Sequence, residues 1–378
     1  MNSASLAGLA GSFVVVGCFV GACGNSPPPG PAPTPTVTAP PVVVDAAAAV
    51  AIADAEAPID ASPMPSEIDV AITVLAKNQH ASAALAADVS HVYWVEDVEG
   101  SVTRVPKRGG AIMMFYSSPA GGFLSPSTIA FDEKEVFWTE HVRQDSPGAA
   151  GAVLGSVMKL DKGGGKPTIV ASGIRDELRS LAIDAKGVYW IAGSAIMRAS
   201  KAGGGVGPLT LKLAEPTSVG ADGKHVYWTQ TGPAEKGNEG GTLLRQPPTP
   251  GAKAETLASG LDKPTSVLVD DAGVCWVTSG TKISCMGKKA PFTSKVVGES
   301  TGGIADVTHD EKFVYWLGAG DGTVMRAARD GSGPPEKLAS GQTNPVGIAV
   351  DKTSVYWSTK GTEAKQFRDG TVVLRAKP

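Results

Sequence analysis

From Ile72 onward, short apolar runs alternate with clusters of Gly, Asp, Ser, Lys and Pro. The runs are too short for an amphipathic helix and rich in Val, Tyr, Trp and Thr, so they predict strands closed by turns. They fall into groups of four. Runs such as Ser218-Val219-Gly220-Ala221 and Gly347-Ile348-Ala349-Val350 predict a first strand, a. An Asp and a three-residue connection lead to strand b, which carries Val-Tyr-Trp. Thr323-Val324-Met325-Arg326-Ala327 exemplifies strand c. Glu336-Lys337-Leu338-Ala339 exemplifies strand d, after the turn Arg329-Asp330-Gly331-Ser332-Gly333.

The Asp-to-Trp unit recurs without change of internal spacing. Its copies are Asp88…Val92-Tyr93-Trp94, Asp132…Val136-Phe137-Trp138, Asp184…Val188-Tyr189-Trp190 and Asp222…Val226-Tyr227-Trp228. They continue as Asp270…Val274-Cys275-Trp276, Asp310…Val314-Tyr315-Trp316 and Asp351…Val355-Tyr356-Trp357. All seven tryptophans of the chain stand in this unit, and successive copies lie 38 to 52 residues apart. A strand-rich repeat of this period predicts propeller blades. The ends predict closure. An orphan outer strand at about 72–76 precedes the first repeat, and the last repeat stops after its strand c, Thr371 to Ala376. The fold expected is therefore all-β: a seven-bladed β-propeller of four-stranded antiparallel blades over 68–378. Its N-terminal outer strand completes the last blade and leaves no open sheet edge at a seam.

The unit "VYWT", with a following "GTVMRAARDG", resembles the YWTD repeats of lipoprotein-receptor-type propellers and, more loosely, the NHL type. The resemblance covers about Ile72 to Pro378 and implies architecture. The fourth position of that motif departs from Asp in every copy. Glu140 follows Phe137-Trp138-Thr139, for example, and Gln230 follows Tyr227-Trp228-Thr229. No ligand or partner is carried over from that family.

Composition sharpens the domain reading. The 378 residues include 47 glycines and 28 prolines, as many short strands and turns require. Net charge is −3, which favours neither nucleic acid nor an acidic partner. The first 76 residues hold six acids and no Lys or Arg. Leu6 to Ala22 is apolar and small-residue-rich, the expected h-region of a secretory signal over 1–22. It ends in Val20-Gly21-Ala22-Cys23, which resembles the lipobox of bacterial lipoproteins and implies lipidation of Cys23; Val15-Val16-Gly17-Cys18 fits more loosely. Residues 23–67 form a Pro/Ala-rich tract without aromatics, expected to be an extended tether. An exported lipoprotein anchored to the outer membrane, facing periplasm or exterior, is the implied location.

Repetition also sorts the candidate chemistry. Each motif Asp opens a three-residue connection, where its carboxylate can accept the next backbone N–H groups. Each Trp is expected to pack between blades. Strand c ends in a base in six repeats, and the spacing predicts the cross-strand pairs Tyr93/Arg104, Phe137/Lys159, Tyr189/Arg198, Tyr227/Arg245, Tyr315/Arg326 and Tyr356/Arg375, cation over ring. Bases spread around a ring give no nucleic-acid patch. Four residues before each motif Asp stand Ala84, Thr128, Ser180, Ser218, Ser266, Asp306 and Gly347. This face of strand a is expected to line the axial channel, with Thr128, Ser180, Ser218, Ser266 and Asp306 as candidate ligand contacts at its mouth. The five histidines (80, 91, 141, 225 and 309) lack metal-ligand spacing. No catalytic triad, P-loop or dinucleotide turn is present, and no cofactor is implied. The b–c loops are long in blades two (Glu140 to Gly155), four (Gln230 to Gly241) and seven (Thr359 to Gly370). They are the expected contact surface of a non-catalytic, monomeric binding module whose partner is a protein or glycan of the cell envelope. The alternative is a divergent hydrolase or lyase with its site near Asp306.

Cys275 and Cys285 stand where other repeats carry the strand-b aromatic and the strand-c base. A three-residue loop centred on Gly280 sets them directly opposite each other, and cross-strand neighbours in an exported protein can form a disulfide. The bond is expected to add roughly 2–3 kcal/mol by loop closure. Alkylation of the denatured, unreduced exported protein should label neither Cys275 nor Cys285; mass spectrometry showing either one alkylated would refute the bond.

Overall fold

The computed structural model describes residues 71–378, apart from 81–83, 97–99, 119–123, 143–154 and 233–239. The segments expected to be the signal and the tether, with Cys23, lie outside the described residues. Strand β1 spans Thr73–Gln79. Blade one holds β2 (Leu85–Ala87), β3 (His91–Glu96), β4 (Ser101–Pro106) and β5 (Met113–Ser117); blade two holds β6 (Leu124–Phe131), β7 (Glu135–Val142), β8 (Gly155–Asp161) and β9 (Thr168–Ile174). Blade three is β10 (Leu178–Ile183), β11 (Val188–Ala192), β12 (Ala195–Ala199) and β13 (Gly207–Thr210). Blade four is β14 (Pro216–Ala221), β15 (Val226–Gln230), β16 (Gly241–Gln246) and β17 (Glu255–Leu261). Blade five is β18 (Thr265–Val269), β19 (Val274–Thr278), β20 (Lys282–Met286) and β21 (Lys295–Glu299). Blade six is β22 (Ile304–His309), β23 (Phe313–Gly318), β24 (Val324–Ala328) and β25 (Glu336–Ala339). Blade seven is β26 (Pro345–Val350), β27 (Ser354–Thr359) and β28 (Gly370–Ala376), with β1 paired antiparallel to β28 as its outer strand. The expected closure is therefore present, and each of the seven sheets has four strands.

One contact is repeated at every blade boundary. The Trp of each blade is buried in one apolar cluster with the strand-b residue of the blade before it: Trp138 with Tyr93, Trp190 with Phe137, Trp228 with Tyr189 and Trp276 with Tyr227. Trp357 meets Tyr315, and Trp94 meets Tyr356 across the closing seam. At the boundary of blades five and six, Trp316 meets Cys275 and Cys285 instead. These two residues are opposite in the ladder and joined as a disulfide, with Cα atoms 4.1 Å apart. The bond thus fills the room of a missing aromatic. Gly298 is required beside it, because a Cβ there would come within 2.9 Å of the Trp316 ring.

The motif Asp residues cap their own turns, as expected. In all seven, one carboxylate oxygen accepts the backbone N–H groups two and three residues on; for Asp88 these are Ser90 (2.7 Å) and His91 (2.8 Å). The Tyr hydroxyls of blades one, three, four, six and seven donate to the same Asp, as Tyr315 does to Asp310 at 2.8 Å.

A second ring of contacts was not anticipated. The base three residues beyond the strand-c partner of the aromatic reaches back to the Asp of the preceding blade. The pairs are Lys162–Asp88 (3.2 Å), Lys201–Asp132 (2.7 Å), Lys288–Asp222 (2.6 Å), Arg329–Asp270 (2.5 Å), Lys377–Asp310 (2.5 Å) and, across the seam, Lys107–Asp351. Blade four has Pro248 at this position. Asp184 accepts the Gly223 N–H at 3.1 Å instead.

This ring explains two corrections to the expected cross-strand pairs. Five pairs stand opposite each other as predicted. In blade seven, however, Tyr356 faces Leu374, and Arg375 faces Val355. That register sets Lys377 three residues beyond Leu374, where it meets both Asp310 and the Tyr315 ring (5.1 Å). Among the described residues the strand-c cations also do not stack on their cross-strand tyrosines; two of these rings carry a lysine of the following blade instead, Lys377 over Tyr315 and Lys107 over Tyr356. Arg104, Arg245 and Arg326 lie over Phe115, Phe292 and Phe313. Arg104, Arg198 and Arg245 also donate to the carbonyls of Lys162, Pro248 and Lys288 in the following blade.

Burial alone would raise the motif carboxyl groups. Hydrogen bonds from the turn N–H groups and the neighbouring cation outweigh it, and Asp88, Asp132, Asp222 and Asp351 are held at about 2. A depressed folded-state value contributes stability that is complete above the unfolded value near pH 4 and is lost as pH falls through about 2. Acid titration followed by tryptophan fluorescence should therefore show unfolding between about pH 4 and pH 2. Lys162→Met strands a carboxylate that is only 4% exposed and should cost about 2 kcal/mol. Lys201→Met frees a more exposed Asp132 and should cost about 1 kcal/mol or less. Urea midpoints test the order, and equal effects would contradict it.

Candidate functional site

The first strands β2, β6, β10, β14, β18, β22 and β26 each form one end of their four-stranded sheet, and they pack on one another around the ring axis. Their candidate contact residues are engaged between blades. Ser180 Oγ accepts the Val219 N–H at 3.0 Å, and Ser218 Oγ accepts the Val267 N–H at 2.9 Å. Asp306 accepts the Ile348 N–H at 2.9 Å with one oxygen and the Val307 N–H at 2.8 Å with the other. Each of the three thus bonds strand a of the next blade. Thr128 bonds Thr139 hydroxyl to hydroxyl at 2.7 Å. Ser266 takes a left-handed φ of 53° in a ladder irregularity between Thr265 and Leu268, and Ser180 does likewise at 49°. Burial pushes the Asp306 carboxyl up to about 7 against the two N–H bonds that lower it. The structure spreads these five residues over blades two to six and does not gather them at one point.

A different group is gathered on the face of the b–c and d–a loops. The residue two beyond each motif Trp points to the same blade face as that Trp. It is acidic only in blades one and two, as Glu96 and Glu140. Both accept the indole N–H of their own Trp, Trp94 to Glu96 at 3.0 Å and Trp138 to Glu140 at 3.3 Å. Opposite them, the strand-d position of the preceding blade differs. Blade one carries Tyr116, which stacks on Trp138 and donates its hydroxyl to Glu140 at 2.8 Å. Burial pushes the Glu140 carboxyl up while these donors pull it down. Every other blade has a small residue here: Ala76, Ala171, Thr210, Ala258, Gly298 or Ala339. Between blades seven and one, on the same face, a pocket of about 420 Å³ is lined among the described residues by Asn78, Gln79, His80, Glu96 and Arg368.

The sequence builds this cavity from strand ends. β1 ends in a register irregularity at Lys77/Gln79, where Asn78 adopts φ 58°. The irregularity turns the chain so that Asn78, Gln79 and His80 face one hollow. His80 Nδ1 is buried and has no hydrogen-bond partner among the described residues. Gln79 donates from its amide to the Lys77 carbonyl at 2.7 Å, which leaves its oxygen directed elsewhere. Arg368 comes from the long b–c loop of blade seven. Asp369 holds that loop by accepting the Thr362 N–H (2.7 Å) and hydroxyl (2.8 Å). Asn344 adds a bond to the Gly361 carbonyl at 2.8 Å, and Lys360 lies over the Phe367 ring at 4.9 Å. Gly370 permits the approach, since a Cβ there would lie 2.4 Å from the Gln79 carbonyl oxygen. Arg368 is exposed and makes no ion pair among the described residues.

The other two long loops lie largely outside the described residues. Glu140 to Val142, expected in the blade-two loop, extend strand β7. Among the described residues, no three His, Cys, Asp or Glu side chains stand together as metal ligands. Sequence reasoning passed over the cavity because its residues belong to the irregular ends of three separate segments. The signals available were the acid two beyond Trp94 and a histidine at the end of the orphan strand.

Neither a comparison with protein-family models nor one with curated proteins gives a match. Among solved structures, the chain is similar to a streptogramin B lyase, with 13% identity, 81% of this chain and 97% of that chain covered, and a TM-score of 0.60. It is also similar to the WD40 β-propeller domain of Doa1 (10% identity; 81% and 97% covered; TM-score 0.57). A chain of a nidogen/laminin complex gives 19% identity, 69% and 97% coverage, and a TM-score of 0.51. At these identities the likeness is one of fold: this chain carries a seven-bladed β-propeller, a scaffold that serves both enzymes and binding proteins.

Proposed function

We propose that the chain is a non-catalytic binding module of the cell envelope, exported and anchored through Cys23, which acts as a monomer and engages a protein or glycan with its b–c loop face. The observation that carries this reading is the blade-seven loop. A solvent-facing insertion is ordinarily held by little, yet this one is fixed by Asp369, Asn344 and the Lys360–Phe367 contact, and it presents Arg368 beside a polar cavity. Loops fixed on a rigid scaffold are where recognition residues concentrate. The channel-mouth residues Thr128, Ser180, Ser218 and Ser266 remain secondary ligand contacts in this reading.

A hydrolase or lyase centred on Asp306 is the second reading. A carboxyl group pushed up to about 7 favours it, since such a group exchanges protons near neutral pH. Against it stands the use of both Asp306 oxygens by backbone N–H groups.

Immobilised full-length protein should capture a component of envelope extracts. Shortening the loops of blades two, four and seven should reduce capture at least about tenfold, or about 1.4 kcal/mol. Asp306→Asn should leave capture unchanged while lowering the melting temperature. Undiminished capture after all three loops are shortened would discard the loop face, and an enzymatic activity abolished by Asp306→Asn would replace this reading with the second.

A further inference from the structure

We infer that the face of the a–b and c–d turns, opposite the long loops, is a docking surface for an anionic lipid bilayer. It lies on the other side of the ring from the loop face and is independent of it.

All of these turns lie within the described residues. Because the strands of a blade run antiparallel, a–b and c–d turns emerge on one side, and bases spread around the ring in sequence gather there. Six of the turn bases are engaged by the motif Asp residues of neighbouring blades. The others point outward. In the a–b turns Lys134, Lys186, Lys224, Lys312 and Lys352 are exposed and make no ion pair among the described residues. In the c–d turns the same holds for Arg108, Lys166, Lys253 and Lys289. Against these nine stand five acids of the same turns, Glu133, Asp184, Asp271, Glu311 and Asp330. The described connections on the loop face carry no such excess, with six bases against seven acids.

The form of the surface selects the partner. The same Asp cap closes every a–b turn, and six ion pairs tie a c–d turn to the a–b turn of the preceding blade. The turn tips therefore share one level around the ring. Their cations form a broad, flat array, where a nucleic-acid or polysaccharide strand is held by a groove or stripe. A flat array of separated cations matches the charged plane of a bilayer. The a–b turn of blade one adds Val89, 96% exposed at the same level, as an apolar tip able to enter the headgroup layer.

One lipid chain holds a protein only weakly to a membrane, and a basic surface is a sufficient second signal. With the anchor at Cys23, the turn face would rest on the bilayer and the loop face would point away from it. This orientation rests on the proposed anchor, whereas bilayer binding by the turn face does not.

The test is co-sedimentation of full-length protein carrying Cys18→Ser and Cys23→Ser, which cannot be lipidated. The vesicles are phosphatidylcholine alone, or phosphatidylcholine with about three-tenths phosphatidylglycerol. The apolar N-terminal segment has no basis to distinguish the two, so the preference between them is the readout. Anionic vesicles should bind at least about tenfold tighter at about 0.1 M salt, and the preference should vanish at about 1 M, where the Debye length is only ~3 Å. The triple variant Lys186→Glu/Lys224→Glu/Lys312→Glu should abolish the preference with an unchanged melting temperature. The milder change of the same three to Gln should weaken it in the same direction. The charge-matched loop-face triple Arg175→Glu/Lys212→Glu/Lys263→Glu should retain it. Equal binding to both vesicles overturns the inference, as does an equal loss in the two Glu triples, which would reduce the effect to net charge. Tighter binding of polygalacturonate than of anionic vesicles, at equal total charge, would assign the face to a soluble acidic polymer and also overturn it. Capture of an envelope component by the loop face is measured without vesicles, so the two readings fail separately.

Discussion

The structure depends on the boundary between neighbouring blades, and above all on the carboxylate that is shared across it. One oxygen of each motif Asp closes the turn of its own blade; in six blades the other accepts a cation from the next. A single side chain thus shapes a hairpin and fixes the angle to its neighbour. The buried cluster that joins each Trp to the strand-b residue of its neighbour supplies apolar burial of about 150–250 Å² per ring. Seven such boundaries close a circle only if every one keeps nearly the same geometry. The spacing from Asp to Trp is accordingly invariant, while the loops between copies vary.

The exceptions obey the same constraint. Blade five lacks the aromatic, and a disulfide occupies its volume under Trp316. Blade four lacks the cation, and a backbone N–H takes its place at Asp184. Blade seven shifts its cross-strand register by one residue so that Lys377 still reaches Asp310. In each case the boundary is preserved and the local pairing gives way. The closing seam keeps its Trp94–Tyr356 contact and its Lys107–Asp351 pair. The cavity lies beyond them, toward the loop face, where the boundary contacts end and the strand termini diverge.

The channel mouth shows how the same economy limits function on this scaffold. Ser180, Ser218 and Asp306 are polar residues on the inner strands, yet they bond backbone groups of the following blade. Inner strands crowd near the axis and need acceptors for N–H groups left unpaired at ladder irregularities. A polar residue there is a poor guide to a ligand unless its hydrogen bonds are known.

The order of the strands, the number of blades, the closure by an N-terminal strand and the disulfide were all legible in the sequence. Each is a consequence of local spacing repeated seven times, and repetition makes a weak local signal unambiguous. The cap formed by each Asp was legible for the same reason. Tertiary structure alone decided what crosses a boundary. The partner of Asp88 is Lys162, in another blade, and no spacing within one repeat reveals that their side chains meet. The cavity is of this kind as well. Glu96, His80 and Arg368 come from the first blade, the N-terminal strand and the final loop, segments far apart in sequence that only ring closure brings together. A linear chain specifies its hairpins through neighbours; the pocket at the seam exists because the two ends of the propeller meet.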